Sequence, residues 1–371
     1  MTFFKNNKFL IFLLAVIVSG YIVYNYYPQY LDFLLKPTQR EIYKRTLKNT
    51  PGDLLKFNEL EQLALSDSIL VNNTHFEYIQ TNDSLPFAAG YLLDIALGKT
   101  AQIAIASNVP WILEAYDTSN KLLQEAVIQN DTLKLDLRFN KSQTVKIVVQ
   151  ARLHENSQAA LIMELSPKFE FPLSGKGNAS IQSFWGASRG GGSRSHEGND
   201  IFAPKGHPAV AAVNGIVSSV RNRGLGGKQV WLRDDDTGYS LYYAHLDDWN
   251  VKENQRVKRG DTLGFVGNTG NARTTPPHLH FGIYTSSGAI DPKPFIWKMD
   301  KATSFSIPGV VSKLQTFGKS ANLRLQPSSD GQVLKLLSEN VTVTVLGTLS
   351  QWYHVRTQDG ITGYLHRSVV K

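Results

Sequence analysis

From Gly90 to Ser166 the chain is cut into short apolar runs separated by turn residues, and this rhythm limits the possible folds more than any other feature. The runs are "GYLLDIAL", "AQIAIAS", "WILEAYD", "LQEAVIQ", "TLKLDLRF", "TVKIVVQARL" and "AALIMELS". Several alternate apolar with polar residues, the side-chain period of a strand with one face buried. Ser119–Asn120, Asn130–Asp131 and Asn140–Lys141 supply turns between them. About seven such strands predict a β-sandwich, placed at 61–170. Its histidines, His75 and His154, have no partner motif. The module reads either as a binding or positioning domain or as a spacer.

Upstream the pattern is different. Lys5 and Lys8 precede "FLIFLLAVIVSGYIVYNYY", which has no charge from Phe9 to Tyr27, close to the length that crosses a bilayer. The next basic residue is Lys36, so positive charge lies on the short N-terminal side and the bulk of the chain is expected outside the cytoplasm. Tyr21, Tyr24, Tyr26 and Tyr27 stand where an interfacial aromatic belt would. Val18 and Gly20 offer small residues for signal cleavage, but no Ala-x-Ala precedes them, which favours an uncleaved anchor at 1–27. Residues 28–60, broken by Pro37 and Pro51, read as a short helical stalk or linker.

Composition removes several chemistries. With 371 residues, 42% apolar, the chain has room for two or three packed domains. It contains no cysteine, so any metal must be held by His, Asp or Glu. The net charge of +8 suits an anionic polymer. Its basic residues are scattered and no nucleic-acid motif is present, so no nucleic-acid partner is expected.

Five of the nine histidines, His196, His207, His245, His278 and His280, fall between 171 and 300. In "PPHLHFGIY" the strand period turns His278 and His280 to one face and Leu279 and Phe281 to the other. In "HEGNDIFAP" Asp200 opens a strand-like run, His196 lies ahead of it in a loop, and Gly198 permits a tight bend between them. His245 ends the aromatic strand "YSLYYAHL". Hydrolytic zinc sites commonly use three His or carboxylate ligands and keep a position for water. His196, Asp200 and one histidine of the His-x-His pair make such a set. His245 and the other histidine remain to move protons and hold developing charge.

Competing templates fail on residue identity. The helical His-Glu-x-x-His signature requires histidine at positions 200 and 158, where aspartate and glutamine stand. "GASRG" has the outline of a nucleophile elbow, but Ser188 lacks the strand-to-helix turn and the acid-histidine order. "GLGGK" is too short for a phosphate loop.

Four blocks taken together, "HEGNDIFAPKGHPAVAAVNGIV", "YYAHL", "VKENQRVKRGDTLGFVGNTG" and "HLHFGIY", resemble in order and spacing the M23 family of zinc metallopeptidases, the lysostaphin and LytM-type peptidoglycan endopeptidases. The resemblance implies a two-layer antiparallel β domain at 171–300, zinc as cofactor, and peptidoglycan cross-links as substrate. It also implies His196, Asp200 and His280 as ligands, His278 as catalytic base and His245 as second catalytic histidine. "TTPP" at 274–277 and His207 depart from the family's usual residues, and bear on groove shape. The third block also looks like a biotinyl or lipoyl carrier hairpin, but a carrier would not need the five-residue His/Asp set.

"SRGGGSRS" at 188–195 and "NRGLGGKQ" at 222–229 are glycine-rich basic loops expected to flank the groove. From 305 to 371, the "NLR" start, "WYHVR" and "DGITGYL" resemble bacterial SH3-like domains, implying a small barrel with a cell-wall or peptide-binding role. Trp352, Tyr353 and Tyr364 are candidates for its cleft. His207, His354 and His366 lack partners and read as ordinary polar residues.

The expected molecule is therefore all-β after an N-terminal membrane helix: a sandwich, an M23-like peptidase domain and an SH3-like barrel. Its expected function is zinc-dependent endopeptidase cleavage of peptidoglycan, on the periplasmic or extracellular side and anchored to the inner membrane. A catalytically silent activator of cell-wall amidases and a protease of extracellular proteins are the alternatives. Oligomeric state is not encoded in any pattern seen.

Overall fold

The computed structural model describes residues 2–67, 69–71, 74–83, 85–299 and 311–371. The expected domain boundary between 300 and 305 lies outside them. So do the side chains of Lys5, Lys8, Tyr24 and Tyr26, on which the orientation and part of the aromatic belt of the expected anchor rest. The chain divides into two compact units, 1–62 and 63–371.

The first unit is helical. Thr2–Tyr26 forms one helix, followed by short turns at Pro28–Leu31 and Asp32–Leu35 and a helix at Gln39–Thr46. The last of these is fixed by a capping box: Thr38 Oγ1 accepts from the Glu41 amide, and Glu41 accepts from the Thr38 amide at 2.8 Å. A further helix, Pro51–Ser66, starts with Pro51 at its N-terminus. Glu61 on it binds Lys44 at 2.6 Å. No single helix among the described residues is long and apolar enough to cross a membrane. Leu10–Val23 and Pro28–Leu35 meet that test only as a pair bent by 107°.

The second unit is β-structure. All seven runs read from the sequence lie in strands, and Ile69–Val71 and Thr74–Thr81 add two more. Thr74–Thr81 is inconspicuous in sequence because its inward positions are His75, Glu77, Ile79 and Thr81. Two sheets face one another across a core that includes Tyr91, Leu93, Ile103, Ile147 and Leu161. One follows the order Ile69–Val71, Ala88–Ile95, Gln143–Ala151, Trp111–Tyr116 and Leu122–Glu125. The other does not end with the sandwich. Its Thr74–Thr81 strand pairs with Thr342–Leu349, Tyr78 opposite Thr348 and Ile79 opposite Gly347, so the C-terminal segment continues the same eleven-stranded sheet. The segment expected as a small SH3-like barrel thus shares a sheet with the sandwich.

A buried polar cluster seals this joint. Glu77, fully buried, accepts from Tyr91 Oη at 2.9 Å and contacts His75 Nε2 at 2.8 Å and His354 Nδ1 at 2.7 Å. His75 and His354, read from sequence as partnerless, share this one carboxylate, His354 from 277 positions along the sequence. Burial by itself raises the Glu77 pKa, but His354 and His75 together outweigh it and hold the carboxyl down at about 2. Gly347 makes room: a Cβ there would lie 2.0 Å from Glu77 Oε1. The expected aromatic cleft loses a member here, because Tyr364 is fully buried in the sandwich core.

Residues 169–297 form a second core under an antiparallel sheet whose central strands are Asn199–Phe202, His278–Thr285, Ser240–Trp249 and Lys228–Asp234. Ile201, Leu241, Leu279 and Phe281 point into that core at 0% exposure. Alternation along the same strands leaves the opposite face for the polar residues.

Candidate metal and catalytic site

Register brings the first pair together. Asn199–Phe202 runs antiparallel to His278–Thr285 with Asp200 directly opposite His280, so their Cβ atoms are neighbours on one face. His196 arrives from the preceding hairpin, Ser188–Arg189 against Arg194–Ser195. Its amide donates to the Ala187 carbonyl and its carbonyl accepts from Gly186, both at 2.9 Å. Gly198 is needed for a reason other than the expected bend: its φ is not positive, but a Cβ would lie 2.8 Å from the His280 ring and 2.6 Å from the Phe281 carbonyl. It lets the loop lie against the histidine.

His245 is placed by a distortion. Ser240–Trp249 pairs with His278–Thr285 as far as Ala244 opposite His280. At His245 the backbone turns to φ +62°, and the ladder to Thr262–Val266 shifts register just beyond. A left-handed conformation is unfavourable for an imidazole-bearing residue and persists only when its surroundings hold it. Here the His245 amide donates to the Gly226 carbonyl at 2.8 Å. The bulge aims the ring at His278 and His280, with centroids at 5.1 and 5.8 Å.

Three ligand atoms converge. His196 Nε2, His280 Nδ1 and Asp200 Oδ1 lie 3.0 Å from one another along every side of a triangle. The Phe184 carbonyl lies 2.9 Å and Arg189 Nη2 3.1 Å from His196 Nδ1, which holds the ring with Nε2 facing the other two. Lone-pair atoms this close repel unless a proton or a cation lies among them, and imidazole nitrogen with carboxylate oxygen suits zinc. The donor set therefore fits a metal ion. Burial alone raises the Asp200 pKa, but the adjacent His196 and His280 outweigh it and hold the carboxyl well below its usual range.

The remaining two histidines are each anchored through Nδ1 to a backbone carbonyl. His245 Nδ1 donates to the Thr269 carbonyl at 2.9 Å and His278 Nδ1 to the Pro276 carbonyl at 2.8 Å, which leaves Nε2 of each ring as the nitrogen not engaged by the backbone. His278 Nε2 lies 3.9 Å from Asp200 Oδ1, beside the triangle. Burial, with the neighbouring His280 and His278, lowers the His245 pKa to about 4. Both rings line a cavity of about 730 Å³, together with Tyr242, Tyr284 and residues of both glycine-rich loops.

All five sequence-designated residues thus lie in one place. Glu197 does not join them: it is exposed, with the Tyr284 hydroxyl 3.4 Å away. Two contributors were not singled out from sequence. Arg189 Nη2 donates to Asp200 Oδ2 at 2.8 Å, fixing the oxygen that faces away from the triangle. Arg194 also lines the cavity. Both stand in the "SRGGGSRS" loop, whose charge was noted only collectively. Of the histidines left aside, His207 contacts the Ser174 carbonyl at 2.8 Å and His366 the Ser368 hydroxyl at 2.7 Å, and neither lines the cavity.

Comparison with known proteins places this arrangement. The family model described as peptidase family M23 matches residues 194–292, a span holding all five residues, and the bacterial SH3 domain model matches 319–371. L-Ala--D-Glu endopeptidase of Bacillus subtilis is 38% identical over 34% of this chain and 42% of its own length. Peptidoglycan DD-endopeptidase ShyC of Vibrio cholerae is 41% identical over 24% of this chain and 20% of its own. Lysostaphin of Staphylococcus staphylolyticus is 38% identical over 27% of this chain and 22% of its own. The chain thus spans less than half the length of each of these relatives. Matched sequence and converged side chains coincide in the same strands, so the chain carries a peptidase family M23 domain followed by a bacterial SH3 domain.

Proposed function

We propose that this protein is a zinc-dependent endopeptidase that hydrolyses peptide cross-links of peptidoglycan. The observation that carries the reading is the 3.0 Å triangle of His196, Asp200 and His280 beside two histidines anchored through Nδ1 that line the same cavity. His196, Asp200 and His280 would hold the ion, and zinc in that place would supply an acidified water and a polarised carbonyl. His278 Nε2 takes the proton of the attacking water and returns it to the leaving amine, its ring held by the Pro276 carbonyl. His245, neutral near pH 7 because burial lowers its pKa, accepts a hydrogen bond at Nε2 and orients the reacting groups. Arg189 keeps Asp200 in its ligating rotamer.

The relatives' names support peptidoglycan as the polymer and differ in the bond they specify, L-Ala--D-Glu in one and DD in another. The SH3 domain, fused to the sandwich, holds the enzyme on the wall. The apolar Phe9–Tyr27 run serves as an inner-membrane anchor that leaves the catalytic domain in the periplasm. A bond between two D-residues is the expected target.

Purified full-length protein should release soluble peptides from isolated sacculi, lose that activity to a chelator, and regain it with one equivalent of zinc. Intact sacculi after digestion by a folded, zinc-loaded sample would overturn the proposal. Mass spectrometry of the released fragments identifies the bond.

A further inference from the structure

The charges lining the catalytic cavity are not balanced by their neighbours. Asp200 is engaged by Arg189 and by the two histidines of the triangle. Glu197 meets Tyr284. Arg194 is different: among the described residues it has no carboxylate within ion-pair distance. Its one side-chain partner is an amide, Asn271 Oδ1, which accepts from Nη2 at 3.2 Å when Asn271 Nδ2 donates to the Leu225 carbonyl at 2.8 Å.

That amide contact steers the guanidinium without neutralising it. Asn271 sits on the turn Gly270–Ala272, its own amide donating to the Leu225 carbonyl at 3.0 Å, so both loops that frame this side of the cavity converge on it. Arg194 leaves the Gly190–Gly192 turn, where three successive glycines have positive φ, two residues ahead of His196. A cation held by a neutral amide at the rim of a reaction cavity retains most of its five donors for a ligand.

Arg194 and Asn271 line the same cavity as His196, Asp200 and His280, so the guanidinium and the triangle face one space.

We infer that Arg194 is a specificity-determining residue that binds a free carboxylate of the substrate peptide, so that the site takes anionic stem peptides in preference to uncharged or amidated ones. The inference rests on the peptidase reading above and adds the charge of the preferred substrate. The guanidinium accepts the carboxylate through paired N–H donors, a geometry that a lysine ammonium matches only in charge. Asn271 supports the side chain and is a positioning residue.

The test uses the full-length protein and two sets of soluble disaccharide-peptide dimers, identical except that the stem carboxylates are free in one and amidated in the other. Arg194→Gln should lower kcat/KM about tenfold on the free-acid dimers through KM, and leave the amidated dimers unchanged. Arg194→Lys should recover part of the loss. Equal loss on both dimers, or no loss on either, overturns the inference. Calorimetric binding of the same dimers to zinc-free protein separates it from the peptidase reading. Tighter binding of the free acid through Arg194 by a protein that cuts neither dimer keeps the carboxylate site and overturns the peptidase. Cleavage of both dimers with no Arg194-dependent discrimination does the reverse.

Discussion

Two histidine–carboxylate clusters occur in this molecule and do opposite things. At the joint between sandwich and SH3 domain, Glu77 lies between His75 and His354 with Tyr91 completing its shell, and nothing opens onto solvent. In the peptidase domain, Asp200 lies between His196 and His280, and a cavity of about 730 Å³ opens directly over them. Each sets one carboxylate between two imidazoles, and both carboxyls are held acidic by histidines against the opposing effect of burial. The difference is in where the lone pairs point. Glu77 spends both oxygens on separate histidines and so ties two strands. Asp200 gives one oxygen to Arg189 and turns the other into a triangle with two imidazole nitrogens. The first arrangement is a joint and the second is a socket.

The joint is not a perfect fit. His354 Nε2 and the Tyr364 hydroxyl are buried with no hydrogen-bond partner among the described residues. Such atoms cost stability, and the cluster offsets this by favouring one pairing of Thr74–Thr81 with Thr342–Leu349, because another register would part Glu77 from His354.

The sharpest way to break the comparison is to remove each carboxylate. Asp200→Ala should abolish zinc binding and lower activity on sacculi at least ~1000-fold while the thermal midpoint of the metal-free protein changes little. A variant that binds zinc as the parent does would erase the distinction. Glu77→Ala should do the converse. Removing one member of a buried ion pair costs about 3–5 kcal/mol, to be read by denaturant unfolding, and the folded fraction should cut soluble peptide dimers at the parent rate.

Gly198→Ala sharpens the socket. The added methyl meets the His280 ring and the Phe281 carbonyl, so His280 must move. Zinc affinity should fall about 10–100-fold, the range found when residues behind a ligand are altered. Unchanged affinity would mean the loop yields instead of the histidine.

The smallest expected effect is a pH dependence of the joint. The Glu77 pKa is lowered from 4.5 to about 2 on folding, so the unfolded chain binds more protons between those values. Its contribution to stability is complete above the unfolded value and is lost as pH falls from about 4.5 towards 2. Acid titration of the full-length protein should show that loss, and Glu77→Gln should flatten the profile in this window. A parallel profile would assign acid sensitivity to other groups.

The two clusters also differ in how visible they are in sequence. His196, Asp200, His278 and His280 occur in two short motifs, and strand period alone places both histidines of the second motif on one face. His75, Glu77 and His354 are far apart, and Thr74–Thr81 carries polar residues at its inward positions, which inverts the apolar alternation that marks a strand. No local pattern announces a carboxylate satisfied from 277 residues away. Arg189 and Arg194 fall between these cases: their loop was conspicuous for glycine and charge, but which arginine meets Asp200 and which stays open depends on how the Gly190–Gly192 turn folds back. His245 was legible as a residue and not as a geometry, since its φ of +62° comes from a bulge that three neighbouring strands impose.

By itself the sequence determined the strand-rich architecture, the motif-bearing M23 and SH3 segments and the residue types of the socket. These follow from side-chain period, turn chemistry and short-range spacing, all local quantities. Only the tertiary structure decided that the SH3 domain continues the sandwich sheet, that Gly198 is required for contact with His280, and that one arginine is spent on Asp200 while its neighbour faces the cavity. Each of these depends on register and close approach between distant segments, where a single ångström decides whether a side chain fits.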